Sequence, residues 1–130
     1  MQTITIGVSG QTGAGKSSLC KDLRNSLSNC NLIHQDWYFK PIEEIADTNN
    51  FCELNCLSIS RFVSDILSLI SGNKVKIHTL DLETFEPSGE VELEPKRFLL
   101  VEGMTIFRIP ELRPTFDLRV YLDPGLDEIM

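Results

Sequence analysis

The sequence has few of the features that mark exported, membrane-bound or nucleic-acid-binding proteins. It contains no apolar run close to the ~20 residues that cross a bilayer, so we expect neither a membrane anchor nor a signal peptide. Its 4 cysteines are too few and too scattered for a disulfide scaffold, which favours reduced thiols and a cytoplasmic protein. Its 12 basic residues against 19 acidic ones give a net charge of −7, which argues against a nucleic-acid groove. The expected partner is therefore a small molecule.

The chain does contain enough apolar residues for one core. With 130 residues, 42% of them hydrophobic, it is long enough for a single domain, which we predict over residues 1–130. Strand-like and helix-like stretches alternate along the chain, a pattern typical of a parallel sheet with helices on its faces. We therefore predict an α/β fold.

The apolar periodicity predicts the individual elements. Strands are expected at residues 4–8, 31–35, 98–101 and 118–122, and helices at residues 17–27 and 59–70, the second ending at Gly72. A hairpin is expected to pair residues 75–80 with residues 90–93 through a type I turn at Glu86-Pro87-Ser88-Gly89. Asp123 and Pro124 have the residue types of a helix start, as N-cap and first helical position.

One motif lies between the first predicted strand and the first predicted helix. Residues Gly10 to Ser17 fit the pattern G-x-x-x-x-G-K-[ST], the phosphate-binding loop of nucleoside-triphosphate enzymes. Glycines allow backbone N–H groups to approach phosphates closely, and the positive end of the following helix adds attraction. We expect Lys16 to bind the β- and γ-phosphates and Ser17 to bind Mg²⁺. The expected ATP-binding residues are Gly10, Gln11, Thr12, Gly13, Ala14, Gly15, Lys16, Ser17 and Ser18.

Two carboxylates follow predicted strands. Asp36 closes the second strand and Glu102 closes the strand at residues 98–101. Ligands of open parallel sheets bind beyond the carboxyl ends of the strands, so we expect both side chains to lie near the bound phosphates. A carboxylate there can accept a proton from an attacking hydroxyl, and another can hold Mg²⁺ or the acceptor.

The sequence resembles the nicotinamide riboside kinases, which share the P-loop kinase fold with uridine and cytidine kinases. The resemblance covers nearly the whole chain. It is carried by three segments in matching order and spacing, namely Gly7-Val8-Ser9-Gly10-Gln11-Thr12-Gly13-Ala14-Gly15-Lys16-Ser17-Ser18, Gln35-Asp36-Trp37-Tyr38-Phe39-Lys40-Pro41 and Leu100-Val101-Glu102-Gly103. The Phe39-Lys40-Pro41 extension and the absence of an F-D-H-P segment favour the riboside kinases over uridine kinase.

The resemblance implies transfer of the ATP γ-phosphate to the 5′-hydroxyl of nicotinamide riboside, which forms the mononucleotide used for NAD synthesis. Asp36 corresponds to the general base of the family, and Glu102 to its acidic residue beside the acceptor and the metal. Lys16 and Ser17 correspond to its phosphate and Mg²⁺ ligands. We expect Phe39 to contact the cationic nicotinamide ring of the acceptor.

The chain departs from the family in two respects. Where the family has an aspartate on the ribose hydroxyls, this chain has Asn55, and an amide accepts a hydrogen bond about half as strongly as a carboxylate. We therefore expect weaker acceptor binding or a shifted preference. The chain also ends at Met130, before the arginine-rich lid of the family, so we expect impaired turnover. We also expect an exposed sheet edge beside residues 118–122 that favours association.

Four other functions compete with this one. A regulatory GTPase would have Asn-Lys-x-Asp, and the nearest string, Asn73-Lys74-Val75-Lys76, has no carboxylate. A dinucleotide-dependent oxidoreductase would have G-x-G-x-x-G, which the glycine spacing here does not match. The alternatives that stay open are a uridine or cytidine kinase and a nucleotide-binding or interaction protein with poor catalysis. A measurement of turnover distinguishes the protein with poor catalysis from the kinases.

Overall fold

A computed structural model describes residues 3–10, 16–39, 58–81, 84 and 86–122, with the backbone alone for residues 16 and 17. The chain divides into two compact units. The first comprises Met1–His34 and Pro95–Met130, and the second comprises Gln35–Glu94. A single domain over residues 1–130 stays a prediction.

The first unit is built on a four-stranded parallel sheet. Its strands are β1 (Ile4–Gly10), β2 (Cys30–His34), β5 (Phe98–Glu102) and β6 (Leu118–Leu122), in the order β2-β5-β1-β6. All three pairings are parallel, which confirms the predicted α/β class. The central strands β1 and β5 are buried along almost their whole length, and β5 is the continuous apolar run Phe98–Val101 before Glu102.

One helix, α1 (Lys16–Ser26), packs on this sheet. It lies one residue earlier than the helix predicted from the sequence. Leu19, Cys20 and Leu23 recur on one face of the helix, and they pack with strand residues such as Val8 and Leu100 in a single apolar cluster. Val8 and Leu100 are fully buried, so the core of this unit lies between α1 and the middle of the sheet.

The second unit contains a helix, α2 (Ile59–Ile70), that has the predicted bounds and is followed by its C-cap Ser71 and by Gly72. Phe62, Ile66 and Leu69 form its buried stripe. The Gly72 N–H donates to the Leu69 carbonyl at 3.1 Å and the Asn73 N–H donates to the Ser68 carbonyl at 2.9 Å. This is the Schellman arrangement, and it places Gly72 at φ +96°, a conformation that glycine adopts without a Cβ penalty.

The hairpin of the second unit pairs β3 (Val75–Leu80) with β4 (Pro87–Leu93) in antiparallel register. The predicted type I turn at residues 86–89 is wrong, because Pro87, Ser88 and Gly89 belong to the strand. Pro87 begins the strand, where its missing N–H breaks no internal ladder, and Gly89 lies opposite Thr79 beside an irregularity in the register. The chain reverses earlier, where the Asp81 N–H donates to the Glu86 carbonyl at 2.9 Å.

Within the part of the chain that the structure describes, no helix has the length and apolar content needed to cross a bilayer.

Candidate functional site

The candidate site lies at the carboxyl edge of the parallel sheet. β1, β2, β5 and β6 end at Gly10, His34, Glu102 and Leu122, and parallel pairing places all four ends at the same edge. The strand order changes direction at β1, since β2 lies on one side of it and β6 on the other. Such a switch point is where open α/β sheets bind ligands.

Gly10, the first glycine of the phosphate-binding motif, has a φ of +153°. In the pairing of β1 with β6, Gly10 lies opposite Leu122. A Cβ at this position would lie 2.6 Å from the Leu122 carbonyl oxygen, too close for any side chain to fit without movement of the backbone. The sheet itself therefore requires glycine where the motif begins.

The helix that follows the motif has the electrostatics of an anion site. α1 begins at Lys16 and runs for 11 residues, with no acidic residue in its first turn. The unpaired N–H groups and the positive dipole end of the helix therefore act without a competing carboxylate from that turn. Ser18, also in this turn, is exposed. Gln11, Thr12, Gly13, Ala14 and Gly15 lie outside the described residues, as do the side chains of Lys16 and Ser17.

Glu102 ends β5 and is buried, with 8% of its side chain exposed. Its Oε1 atom accepts a hydrogen bond at 2.7 Å from Nδ1 of His34, because a carboxylate has no proton to give to the ring. The chain beyond it is tied to β1, since the Gly103 N–H donates to the Val8 carbonyl at 3.1 Å and Ser9 Oγ donates to the Met104 carbonyl at 3.0 Å. The carboxylate therefore stands on a rigid part of the sheet.

The sequence patterns assign His34 no role, but in the structure its ring is hydrogen-bonded to Glu102, a predicted site residue. His34 and Glu102 are register partners and the last residues of adjacent parallel strands. The signal that could have revealed the pair is that both residues close strands. Strand order is also needed to recognise it, and β2 and β5 are separated by 68 residues at this contact.

Asp36 lies in the second unit, in a short 3₁₀ helix (Gln35–Tyr38). The prediction that Asp36 closes the second strand is wrong by a small margin, because the strand ends at His34 and the chain turns into the helix at Gln35. Asp36 is half-buried, and so is Phe39, which follows the helix directly.

Tyr38 anchors this 3₁₀ helix to α2. Its hydroxyl donates to Asp65 Oδ2 at 2.7 Å, and its ring lies 4.8 Å from that of Phe62, centroid to centroid. Its carbonyl accepts from the Ser58 N–H at 2.7 Å. Burial and the hydrogen bond to Asp65 raise the pKa of Tyr38 well above its usual range. Tyr38 is therefore a packing residue that fixes the turn carrying Asp36.

The structure thus divides the predicted site residues into three groups. Gly10, the start of α1 and Glu102 share the carboxyl edge of one sheet. Asp36 and Phe39 belong to the second unit, and Asn55 and residues 11–15 lie outside the described residues. Among the residues that are described, no group of three or more His, Cys, Asp and Glu side chains could hold a metal ion.

Known proteins resemble the chain in sequence over most of its length. No family model matches it. Human nicotinamide riboside kinase 1 is 32% identical over 132 residues, which cover 98% of this chain and 62% of that protein. The uridine kinase of Clostridium perfringens (strain 13 / Type A) is 29% identical over 131 residues, which cover 95% of this chain and 63% of that protein. The chain therefore spans less than two thirds of the length of these relatives.

The fold is also shared with a solved structure. A protein described as "a Possible Uridine Kinase from Bacillus stearothermophilus" matches with a TM-score of 0.77 at 21% sequence identity, over 93% of this chain and 71% of that one. This likeness confirms the predicted P-loop kinase fold. By sequence, the chain is a homologue of uridine kinase and of human nicotinamide riboside kinase 1, and it has the fold of uridine kinase-like P-loop kinases.

Proposed function

We propose that the protein transfers the γ-phosphate of ATP to the 5′-hydroxyl of nicotinamide riboside. The observation that carries this proposal is the junction of β1, the phosphate-binding motif and α1, beside the buried carboxylate of Glu102. The similarity to nicotinamide riboside kinase 1 and to uridine kinases supports a nucleoside acceptor. The segment Phe39-Lys40-Pro41, which resembles the riboside kinases more than uridine kinase, favours nicotinamide riboside as that nucleoside.

The ATP phosphates would lie on the motif. Residues Gly10 to Ser18 would offer backbone N–H groups to the phosphates, and Lys16 would bind the β- and γ-phosphate oxygens through its ammonium. The absence of acidic residues from the first turn of α1 supports this, because a carboxylate there would repel the phosphates. This local attraction matters in a chain whose net charge is −7.

The residues present suit Mg²⁺. Mg²⁺ prefers oxygen ligands and is usually held by one or two protein groups, with waters and substrate phosphates completing its shell. Ser17 and Glu102 would supply those protein oxygens, in keeping with the absence of a larger ligand cluster among the described residues. When bound, Mg²⁺ would neutralise charge that develops on the phosphates during transfer.

Asp36 would act on the acceptor. Its carboxylate accepts the proton of the 5′-hydroxyl while that oxygen forms a bond to the γ-phosphorus, and the bond from this phosphorus to the β,γ-bridging oxygen breaks to release ADP. Phe39 would present an aromatic face to the cationic nicotinamide ring. Asn55 would bind the ribose hydroxyls through its amide, more weakly than a carboxylate would.

A uridine or cytidine kinase is the second candidate, favoured by the uridine kinases among the relatives. A nucleotide-binding protein with poor catalysis is the third, favoured by the neutral side chain of Asn55.

A competition assay tests the acceptor. Nicotinamide riboside and uridine are mixed at equal concentration with ATP and Mg²⁺, and both monophosphate products are followed by mass spectrometry. We expect nicotinamide mononucleotide to form at least about 10-fold faster, a margin of about 1.4 kcal/mol in transition-state binding. Faster phosphorylation of uridine would favour the second candidate. ATP binding without either product would favour the third.

A further inference from the structure

Glu102 has two carboxylate oxygens, and the structure gives them different surroundings. Oε1 accepts the 2.7 Å hydrogen bond from His34 Nδ1. Oε2 accepts no hydrogen bond from the residues that the structure describes. A bond to one oxygen fixes the rotation of the carboxylate about its last torsion, which is otherwise broad. The second oxygen is thereby held in one direction.

His34 and Glu102 differ in how far their side chains are exposed to solvent. The Glu102 side chain is 8% exposed, and that of His34 is 32% exposed. A carboxylate so deeply buried is costly unless a hydrogen-bond donor compensates it. The histidine provides that donor, and it is held by the register of β2 against β5 rather than by a flexible loop.

We propose that His34 is the positioning residue of Glu102. The Nδ1–H group of His34 holds Oε1, and this leaves Oε2 oriented for Mg²⁺ or for the acceptor hydroxyl. The inference rests on the proposed function of Glu102, and it adds a residue that acts through the carboxylate without touching the substrate. Partners of this kind commonly alter metal affinity or activity by about 10–100-fold when removed.

Steady-state kinetics test the proposal in His34→Ala, with His78→Ala as the matched control. His78 is the other histidine of the chain, 58% exposed in the hairpin. We expect His34→Ala to lower kcat/KM for nicotinamide riboside by about 10–100-fold and to raise the Mg²⁺ concentration for half-maximal rate, since the carboxylate loses its orientation. The KM for ATP should change little in either variant, because the phosphate-binding motif is untouched.

His34→Asn separates the hydrogen bond from the packing of the ring. An asparagine amide can place an N–H group close to the position of Nδ1. We expect this variant to recover most of the activity that His34→Ala loses. Equal losses in both variants, or unchanged kcat/KM in His34→Ala, would overturn the proposal.

The tautomer of His34 gives a readout that needs neither ATP nor turnover. Nitrogen-15 NMR of the ligand-free protein should show a proton on Nδ1 of His34, and this preference should disappear in Glu102→Ala. An unprotonated Nδ1 in the wild-type protein would overturn the positioning role. Failure of the proposed kinase activity alone would leave the NMR result standing, so the two failures are distinguishable.

Discussion

Gly10 is the residue at which the phosphate-binding motif meets the sheet. Its φ of +153° and the 2.6 Å distance that would separate a Cβ from the Leu122 carbonyl oxygen come from β1 and β6 alone. Two requirements therefore coincide at one position. The ligand needs a close backbone approach, and the fold needs the same residue for reasons of packing.

The first prediction concerns stability at this residue. Gly10→Ala should lower the free energy of unfolding by about 2–3 kcal/mol, because it adds backbone strain and displaces the carbonyl of Leu122. Gly72→Ala is the matched control, since Gly72 also has a positive φ, +96°, but a Cβ there meets no atom within 4 Å. We expect the control to lose only about 1 kcal/mol. Urea denaturation followed by circular dichroism measures both, and equal losses would contradict the role given to Leu122.

The residues of the site differ in how far the sequence reveals them. Glu102 is predictable because it follows a short apolar run, and the end of such a run is readable locally. His34 is not predictable in this way, because its importance depends on a contact with Glu102, 68 residues away in the sequence. The pairing of distant strands has no local signal in the sequence.

At the scale of elements, the 3₁₀ helix Gln35–Tyr38 matters most, because it carries Asp36. Tyr38 fixes it to α2 through the hydroxyl bond to Asp65 and the ring contact with Phe62. Arg61 adds a cation–π contact, with its guanidinium carbon 5.9 Å from the centre of the Tyr38 ring. The position of the proposed base within its unit thus depends on the packing of an aromatic residue.

Removing the Tyr38 hydroxyl should weaken this anchor. Tyr38→Phe is expected to cost about 1–3 kcal/mol of unfolding free energy, since it breaks a hydrogen bond to a carboxylate and keeps the ring. Tyr121→Phe makes the same chemical change at a side chain that is 61% exposed, and it should change stability by less than about 0.5 kcal/mol. Thermal unfolding compares the two. A loss in Tyr38→Phe no larger than in the control would contradict the anchor.

The pH dependence of stability follows from the same contact. The folded-state pKa of Tyr38 is raised, so its contribution is fully present below the unfolded-state pKa of about 10 and is lost as pH rises above that value. Above about pH 10 the wild-type protein should lose stability more steeply than Tyr38→Phe, by about 1.4 kcal/mol per pH unit. If the stability of the two proteins falls equally as the pH rises above about 10, folding does not raise the pKa of the Tyr38 hydroxyl.

Element boundaries show where local sequence rules succeed and fail. The end of α2 just before Gly72 was predictable because a helix stop has a local chemical cause, the conformational freedom of glycine at C′. The turn of the hairpin was not predictable from local rules. Pro87 and Gly89 have the residue types of a turn, but a strand also accommodates proline at its start and glycine beside an irregularity in register.

On the scale of the whole molecule, the fold class was predictable and the topology was not. Alternating strand-like and helix-like segments indicate a parallel sheet. The order β2-β5-β1-β6 depends on long-range pairing, and it is this order that makes β1 the switch point and brings His34 to Glu102. Sequence similarity to known kinases then supports a function that the sheet alone does not specify, since one fold hosts many functions.

Transfer of labelled γ-phosphate from ATP to nicotinamide riboside tests the central claim most directly, with the wild-type protein and Asp36→Asn compared side by side. Asparagine keeps the shape of the side chain but accepts no proton, so kcat should fall by about 10²–10⁴-fold. The dissociation constant for ATP, measured by calorimetry, should stay unchanged. Labelled nicotinamide mononucleotide from the wild-type protein and this selective loss in the variant are the predicted results. Equal rates in the two proteins, or no transfer by the wild type, would contradict the account.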